Sequence, residues 1–205
     1  QNLHYTSYGF FVHASKKFLQ GKLHLSAALR ASRYEYFKLK WNPRLTVVYA
    51  LSKSQFIRFS YQNGYRFPSI FEGFSNINSG GVKRVGGLKV MSNGIFESAW
   101  LKSSIDAFQA AVNKDFNTNG LTQQQAIDKN STLLKRNTYT YLQPEQMHSF
   151  ESGYRSILLN NKLFVDADLY YNVYSNFIAQ IEASVPNTQD IAQIPAYLYD
   201  KNRQS

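Results

Sequence analysis

There is no cysteine anywhere in these 205 residues. That excludes a disulfide-stapled secreted domain, a zinc ribbon and a thiol enzyme, each of which needs thiols. Acidic residues are scarce: 13 Asp and Glu stand against 23 Lys and Arg, a formal net charge of +10. Charged residues of both signs make up only 18%, below the roughly 25% of an average soluble domain. Long hydrophobic runs are missing too. Mean hydropathy is −0.40, and no stretch approaches the ~20 consecutive apolar residues of a spanning helix, so a helical membrane protein is excluded. What is abundant is aromatic: 15 Tyr, 15 Phe and 2 Trp, within a hydrophobic content of 43%. That content argues against disorder. The basic excess leaves nucleic acid, an anionic membrane surface or an anionic ligand as partner classes. By length this is about one large domain.

Gln1 to Phe11 shows no basic n-region followed by an apolar core, so no signal peptide is expected in this stretch. The stretch Ala196-Tyr-Leu-Tyr-Asp-Lys-Asn-Arg-Gln-Ser205 offers no cap or closing strand. The expectation is a piece of something longer.

Period two dominates. Leu23, Leu25, Ala27, Leu29 and Ala31 alternate with His24, Ser26, Ala28, Arg30 and Ser32, the pattern of a strand with one apolar face. Tyr8, Phe10, Val12 and Ala14 form an earlier row, and Leu45, Val47, Tyr49 and Leu51 a later one. Ile57, Phe59, Tyr61 and Tyr65 oppose Arg58, Ser60, Gln62, Gly64 and Arg66. Phe150, Tyr154 and Leu158 oppose Ser149, Glu151, Gly153 and Arg155; Val165, Ala167, Leu169, Tyr171 and Val173 oppose Asp166, Asp168, Asn172 and Tyr174. These rows predict six antiparallel strands in three hairpins, at about 5–18, 22–34, 43–51, 55–66, 147–159 and 162–181.

Several of these strands exceed the five or six residues usual in globular sheets. A tilted strand needs about 9–11 residues to cross a bilayer. Turns near Gln20-Gly21, Ser52–Gln55 and Asn160-Asn161 are tight, whereas the connections after Tyr34, Phe67 and Ile181 are longer. Tight turns at one end and long loops at the other are the pattern of an outer-membrane barrel. A soluble β-sandwich also alternates, and strand length and turn asymmetry count against it. The polar faces carry both signs of charge, as a wet lumen would. The expected sidedness puts Leu25, Leu29, Val47, Tyr49, Phe59, Tyr61, Val165 and Leu169 toward lipid, and Arg58, Arg66, Glu151, Arg155, Asp166 and Asp168 toward the lumen.

Residues 67–146 break the alternation and read as one long loop outside the barrel. Gly80-Gly81 and Gly86-Gly87 come first. Then Leu101, Ile105, Phe108 and Val112 recur at helical spacing, and Thr122 with Gln125 gives a capping-box spacing before Ala126 and Ile127. A loop of this length is functional or partner-binding; the alternative is that its helices only pack on the rim. Asn130-Ser-Thr132 matches a glycosylation sequon by coincidence.

Motifs for catalysis are missing. His4, His13, His24 and His148 stand in no metal-ligand spacing, so no metal or other cofactor is expected. No nucleophile elbow, phosphate loop or dinucleotide fingerprint occurs. Asp166 and Asp168 share a strand face and could form an acid–base pair, though solvated charges paired with a neighbouring Arg are the simpler reading. No enzyme is expected. The basic residues are scattered, with no aromatic RNA-binding signature, so no nucleic-acid partner is expected.

Some segments resemble a known family. Asn42-Pro43-Arg44, Arg58-Phe-Ser-Tyr61 and Gly64-Tyr-Arg-Phe-Pro-Ser69 are similar to the mid-barrel signature of TonB-dependent outer-membrane receptors. Leu142-Gln-Pro-Glu145 with Ser149-Phe-Glu-Ser-Gly-Tyr-Arg155 resembles that family's next strand start. Leu159-Asn-Asn-Lys-Leu-Phe164 and Asp168-Leu-Tyr-Tyr-Asn-Val-Tyr174 resemble the hairpin after it. The resemblance spans roughly 30–181. Phe67 stands where many members have a small residue, and Gln143 and Gln146 replace commoner Lys positions. The Gly-rich insert followed by a helix looks like members from Bacteroidota.

The resemblance implies an all-β fold: a six-strand arc of a 22-stranded transmembrane barrel that imports a scarce nutrient with energy relayed by TonB. The plug domain and the TonB-contacting segment are not among these residues. Implied partners are outer-membrane lipid and lipopolysaccharide, TonB through the missing plug, the remainder of the barrel, and a surface lipoprotein at the long loop. The alternatives are a non-transporting outer-membrane module, such as an adhesin or assembly scaffold, and an ungated porin. Candidate ligand-binding residues in the lumen or at its mouth are Arg58, Arg66, Trp100, Arg155, Asp166 and Asp168. Arg66 precedes Pro68, which cannot donate to a ladder, so strand pairing is expected to stop there.

Overall fold

The computed structural model describes residues 5–79 and 82–200. His4, the Gly80-Gly81 pair and the last five residues of the C-terminal stretch lie outside the described residues. The chain forms two compact units: Gln1–Ser69 with Gln143–Ile178, and Ile70–Leu142 with Ala179–Ser205.

The first unit is one antiparallel sheet. Its strands are β1 (Ser7–Phe18), β2 (Leu23–Tyr34), β3 (Lys40–Ser52), β4 (Gln55–Arg66), β5 (Glu145–Leu158) and β6 (Leu163–Ser175). Spatial order follows chain order, with β1 and β6 at the edges. Each strand has 12 to 14 residues. Twelve residues at ~3.4 Å reach about 41 Å, and tilted by ~45° they span about 29 Å, close to the thickness of a hydrocarbon core. The sixth strand stops at Ser175, short of the expected 181, because Asn176 takes a left-handed φ of 57° that an extended ladder cannot continue. β4 and β5 pair as neighbours, Arg66 opposite Glu145, although the whole insert lies between them in sequence.

Directly paired residues of an antiparallel ladder share a face. Lys16, Leu25, Val47, Phe59, Ser152 and Leu169 form one row across all six strands. The next row is Lys17, His24, Val48, Arg58, Gly153 and Asp168, on the opposite face. A third, Ser15, Ser26, Thr46, Ser60, Glu151 and Tyr170, continues that polar face. The register therefore puts the eight expected apolar residues on one face and the six charged ones on the other. A shift of one residue in any strand would exchange its two sets.

Among the described residues of this unit Ala31, Phe37 and the prolines Pro68 and Pro144 are buried, whereas Phe59 is 55% exposed, Leu169 72% and Tyr171 66%. A soluble sandwich buries one face of each sheet against another. Here a continuous apolar face is left uncovered, which for a protein marks an interaction with another apolar phase. Toward the loop end that face turns polar and aromatic: Tyr61 and His148 share a hydrogen bond of 3.0 Å, and Gln146 contacts the other ring nitrogen at 2.7 Å. Phe67, just past β4, stacks on Tyr34 at 3.9 Å between ring centroids and tilts against Phe37, so its large ring is used in packing.

The second unit is mixed. A hairpin pairs Asn76–Ser79 with Val82–Val85, and Trp100–Leu101 pairs with Ala183–Ser184. Three helices make its core: α1 (Lys102–Thr118), α2 (Gln123–Asn130) and α3 (Ile194–Tyr199). Phe108 and Val112 of α1 meet Ala126 and Ile127 of α2, while Ile105 meets Ile194 and Leu198 of α3. The capping box is present in both directions, Thr122 with Gln125. Leu101, first member of the expected stripe, sits ahead of the helix in the short strand pair. Gly86 is required: a Cβ there would fall on the Gly73 carbonyl, and backbone cannot give way as a side chain can. Among the described residues no helix is long and apolar enough to cross a membrane.

Candidate functional site

The six charged residues expected toward the lumen lie on β4, β5 and β6, while Lys17, Arg30, Lys40 and Arg44 of β1–β3 share the same face. Arg58, Gly153 and Asp168 lie opposite one another in register, so the guanidinium must pass over position 153 to reach β6. It does: Arg58 Nη2 lies 2.8 Å from Asp168 Oδ1 and 2.6 Å from Glu151 Oε1. Gly153 makes this possible, since a Cβ at that position would overlap Asp168 Oδ1 and press on Arg58. Ser60 Oγ donates to the other oxygen of Glu151 at 3.4 Å. Arg58 Nε is buried with no hydrogen-bond partner.

Toward the turns, Arg155 faces Asp166 directly in register. Its Nη2 and Nε both donate to Asp166 Oδ2, at 2.6 and 3.1 Å, and its guanidinium lies 5.6 Å from the Phe164 ring centre. At the loop end, Arg66 Nε donates to Glu145 Oε2 at 2.6 Å, while Glu145 Oε1 accepts from the Ile178 backbone N–H at 2.8 Å. One carboxylate thus ties β4, β5 and the chain leaving β6. These pairs are partly exposed, so each contributes only ~0.2–1 kcal/mol. Their arrangement fixes where charge lies more than it adds stability.

Of the six candidate residues, five lie on this face: Arg58 with Asp168, Arg155 with Asp166, and Arg66 at the strand ends. Asp166 and Asp168 each serve a different arginine. Trp100 belongs to the other unit, where the Arg136 guanidinium lies 5.3 Å from its ring centre. Sequence reasoning did not give Glu145, Glu151 or Gly153 a place among the site residues. The signal was present: Glu145 closes Leu142-Gln-Pro-Glu145, and Gly153 is the one position in its strand row without a side chain. A shallow hollow of about 320 Å³ lies on the apolar side, where Ser152 is surrounded by Phe59, Tyr61, Phe150, Leu169 and Tyr171.

In the insert, Asp115 is buried and accepts from three side chains: Asn119 at 2.5 Å, Asn130 at 2.8 Å and Lys129 at 3.0 Å. Hydrogen bonds from Asn130 and Asn119, then Lys129, hold its carboxyl well down, at about 2. The amide of Asn130 is engaged here and on the Ala126 carbonyl, so the sequon's asparagine is a helix-pairing residue. Tyr141 donates to Glu97 at 2.6 Å, which lowers the Glu97 carboxyl and raises the tyrosine. Among the described residues no group of three His, Asp or Glu is placed to hold a metal ion.

A family model described as TonB dependent receptor-like, beta-barrel, matches residues 1–202. No curated protein and no solved structure matches the chain.

Proposed function

Because the chain belongs to the TonB-dependent receptor β-barrel family, we propose that it forms part of the wall of an outer-membrane receptor that imports a scarce nutrient, with energy relayed by TonB through a plug domain. The observation that carries this reading is the division of one sheet into an uncovered apolar face and a charged face. A wall strand has lipid on one side and an aqueous lumen on the other. In this reading Arg58, Arg66, Arg155, Asp166 and Asp168 line the lumen. Their charges are shared among neighbours, so they shape the field along a ligand's route. The tight turns face the periplasm, and the helical insert lies outside the cell, with Trp100 on the side a ligand meets first. The glycine-bearing segment followed by helices supports a Bacteroidota-type receptor. A surface lipoprotein is the partner proposed for the insert.

The test compares cells with and without the full-length receptor, measuring by mass spectrometry which nutrients vanish from a defined medium. An importer depletes one nutrient class, and the depletion stops with a protonophore or with loss of TonB. Depletion that survives both treatments would mean an ungated porin. Unchanged medium with lost surface attachment would mean an adhesin or scaffold.

A further inference from the structure

Two of the three tight turns have the same conformation, and it is a strained one. In the β1–β2 turn, Leu19, Gln20 and Gly21 have φ of 51°, 55° and 89°; in the β5–β6 turn, Leu159, Asn160 and Asn161 have 53°, 51° and 68°. In each, a lysine N–H closes the turn on the leucine carbonyl at 3.1 Å: Lys22 on Leu19, Lys162 on Leu159. A leucine in the left-handed region is sterically disfavoured, since its Cβ crowds the backbone. Here both leucines are also exposed, Leu19 by 61% and Leu159 by 70%. In water, neither strain nor exposure gains anything.

The surroundings of these leucines share a charge pattern. The three hairpin ends, residues 16–22, 50–57 and 156–165, contain Lys16, Lys17, Lys22, Lys53 and Lys162 and no Asp or Glu. No salt bridge among the described residues uses any of the five. The nearest carboxylate along the chain, Asp166, is taken by Arg155. At the opposite end of the sheet both signs occur, Glu35 and Glu145 beside Arg33, Lys38, Lys40 and Arg66. Adjacent hairpin ends stand two strands apart, about 10 Å. The turn end is thus a row of apolar side chains and ammonium groups without a carboxylate partner, Lys16 lying 5.3 Å from the Phe18 ring centre.

We infer that these turns are an interfacial anchor for anionic phospholipid: the leucines enter the acyl boundary of the periplasmic leaflet, and Lys22, Lys53 and Lys162 hold phosphate headgroups. An apolar side chain beside a cation fits a surface where hydrocarbon meets phosphate. This inference rests on the proposed membrane placement, with the tight turns toward the periplasm.

The test uses delipidated full-length receptor in neutral-detergent micelles, titrated with phosphatidylglycerol, phosphatidylcholine or lipid A, with bound lipids counted by native mass spectrometry. Retention of the heat-modifiable gel shift reports the folded barrel. Each lysine near an anionic lipid surface is worth roughly fivefold, so the three together should favour phosphatidylglycerol over phosphatidylcholine by on the order of a hundredfold. The triple variant Lys22→Gln, Lys53→Gln, Lys162→Gln should lose that margin, and the corresponding triple Lys→Arg should keep it. Equal binding of the two phospholipids by a folded receptor would overturn the anchor and leave the barrel reading standing. Strongest binding of lipid A, lost in the Gln variant, would place the turns in the other leaflet and overturn the anchor together with the orientation. A receptor with no heat-modifiable form in any detergent would overturn the barrel reading and the anchor with it.

Discussion

Gly153→Ala is a one-carbon change that should break the charge bridge across the polar face. The added Cβ would overlap Asp168 Oδ1 and stand 3.4 Å from Arg58 Nε and Nη2. Asp168 must turn away and give up its 2.8 Å bond to Arg58. A hydrogen bond to a charged partner contributes about 1.5–3 kcal/mol. These side chains are 39% and 24% exposed, so screening reduces the loss to about 1 kcal/mol. Once Asp168 has turned the overlap is relieved, so crowding is not added again, and the stiffer unfolded chain returns about 0.5–1 kcal/mol. The net expectation is a destabilisation of less than about 1 kcal/mol. It is read from urea unfolding of the full-length receptor in micelles, followed by heat-modifiable mobility. The diagnostic is the double variant. With Asp168→Ala already in place the clash partner is gone, and Gly153→Ala should then be neutral or stabilising by up to about 1 kcal/mol. An equal cost in both backgrounds would refute the bridge as the reason for the glycine.

At the loop end, Glu145→Gln should lower the melting temperature of the receptor and loosen Ile178 in hydrogen exchange, because one carboxylate serves both Arg66 and that N–H; Arg66→Lys should show a smaller effect of the same sign. In the insert, Asp115 has its carboxyl at about 2 against 3.8 when unfolded, a depressed value, so its stabilisation is complete above the unfolded value and is lost as pH falls from about 4 toward 2. Amide protection of α1 and α2, corrected for intrinsic exchange, should decline across that window, and Asp115→Asn should remove the pH dependence. Proteinase K added to intact cells should cut within 70–142 before any sheet turn; cleavage there only after the outer membrane is permeabilised would reverse the orientation.

The strands were legible because each face of the sheet has a uniform environment, so period two is written in every strand without reference to its partner. α1 and α2 were legible for a similar local reason: Ile105, Phe108 and Val112 repeat at helical spacing, and Thr122-x-x-Gln125 is a self-contained cap. What escaped depends on contacts distant in sequence. Arg58 meets Asp168 across 110 positions, and nothing local to Gly153 shows that an arginine will lie over it. The pairing of Trp100–Leu101 with Ala183–Ser184, and the closing of the helical core by α3, join segments some eighty or more residues apart. The end of β6 was misplaced by six residues because Asn176 ends it through a backbone angle, not through composition.

The claim that the two faces of this sheet meet different phases can be tested on neighbouring positions of one strand. This sequence has no cysteine, so single cysteines can be introduced at Tyr171 and Asn172 of β6, adjacent residues on opposite faces. Full-length receptor in native outer membranes is then exposed to a membrane-impermeant maleimide. Asn172→Cys should react and Tyr171→Cys should stay protected until detergent is added. Reaction at 171 with protection at 172, or equal reaction at both, would contradict the assignment of the apolar face to lipid.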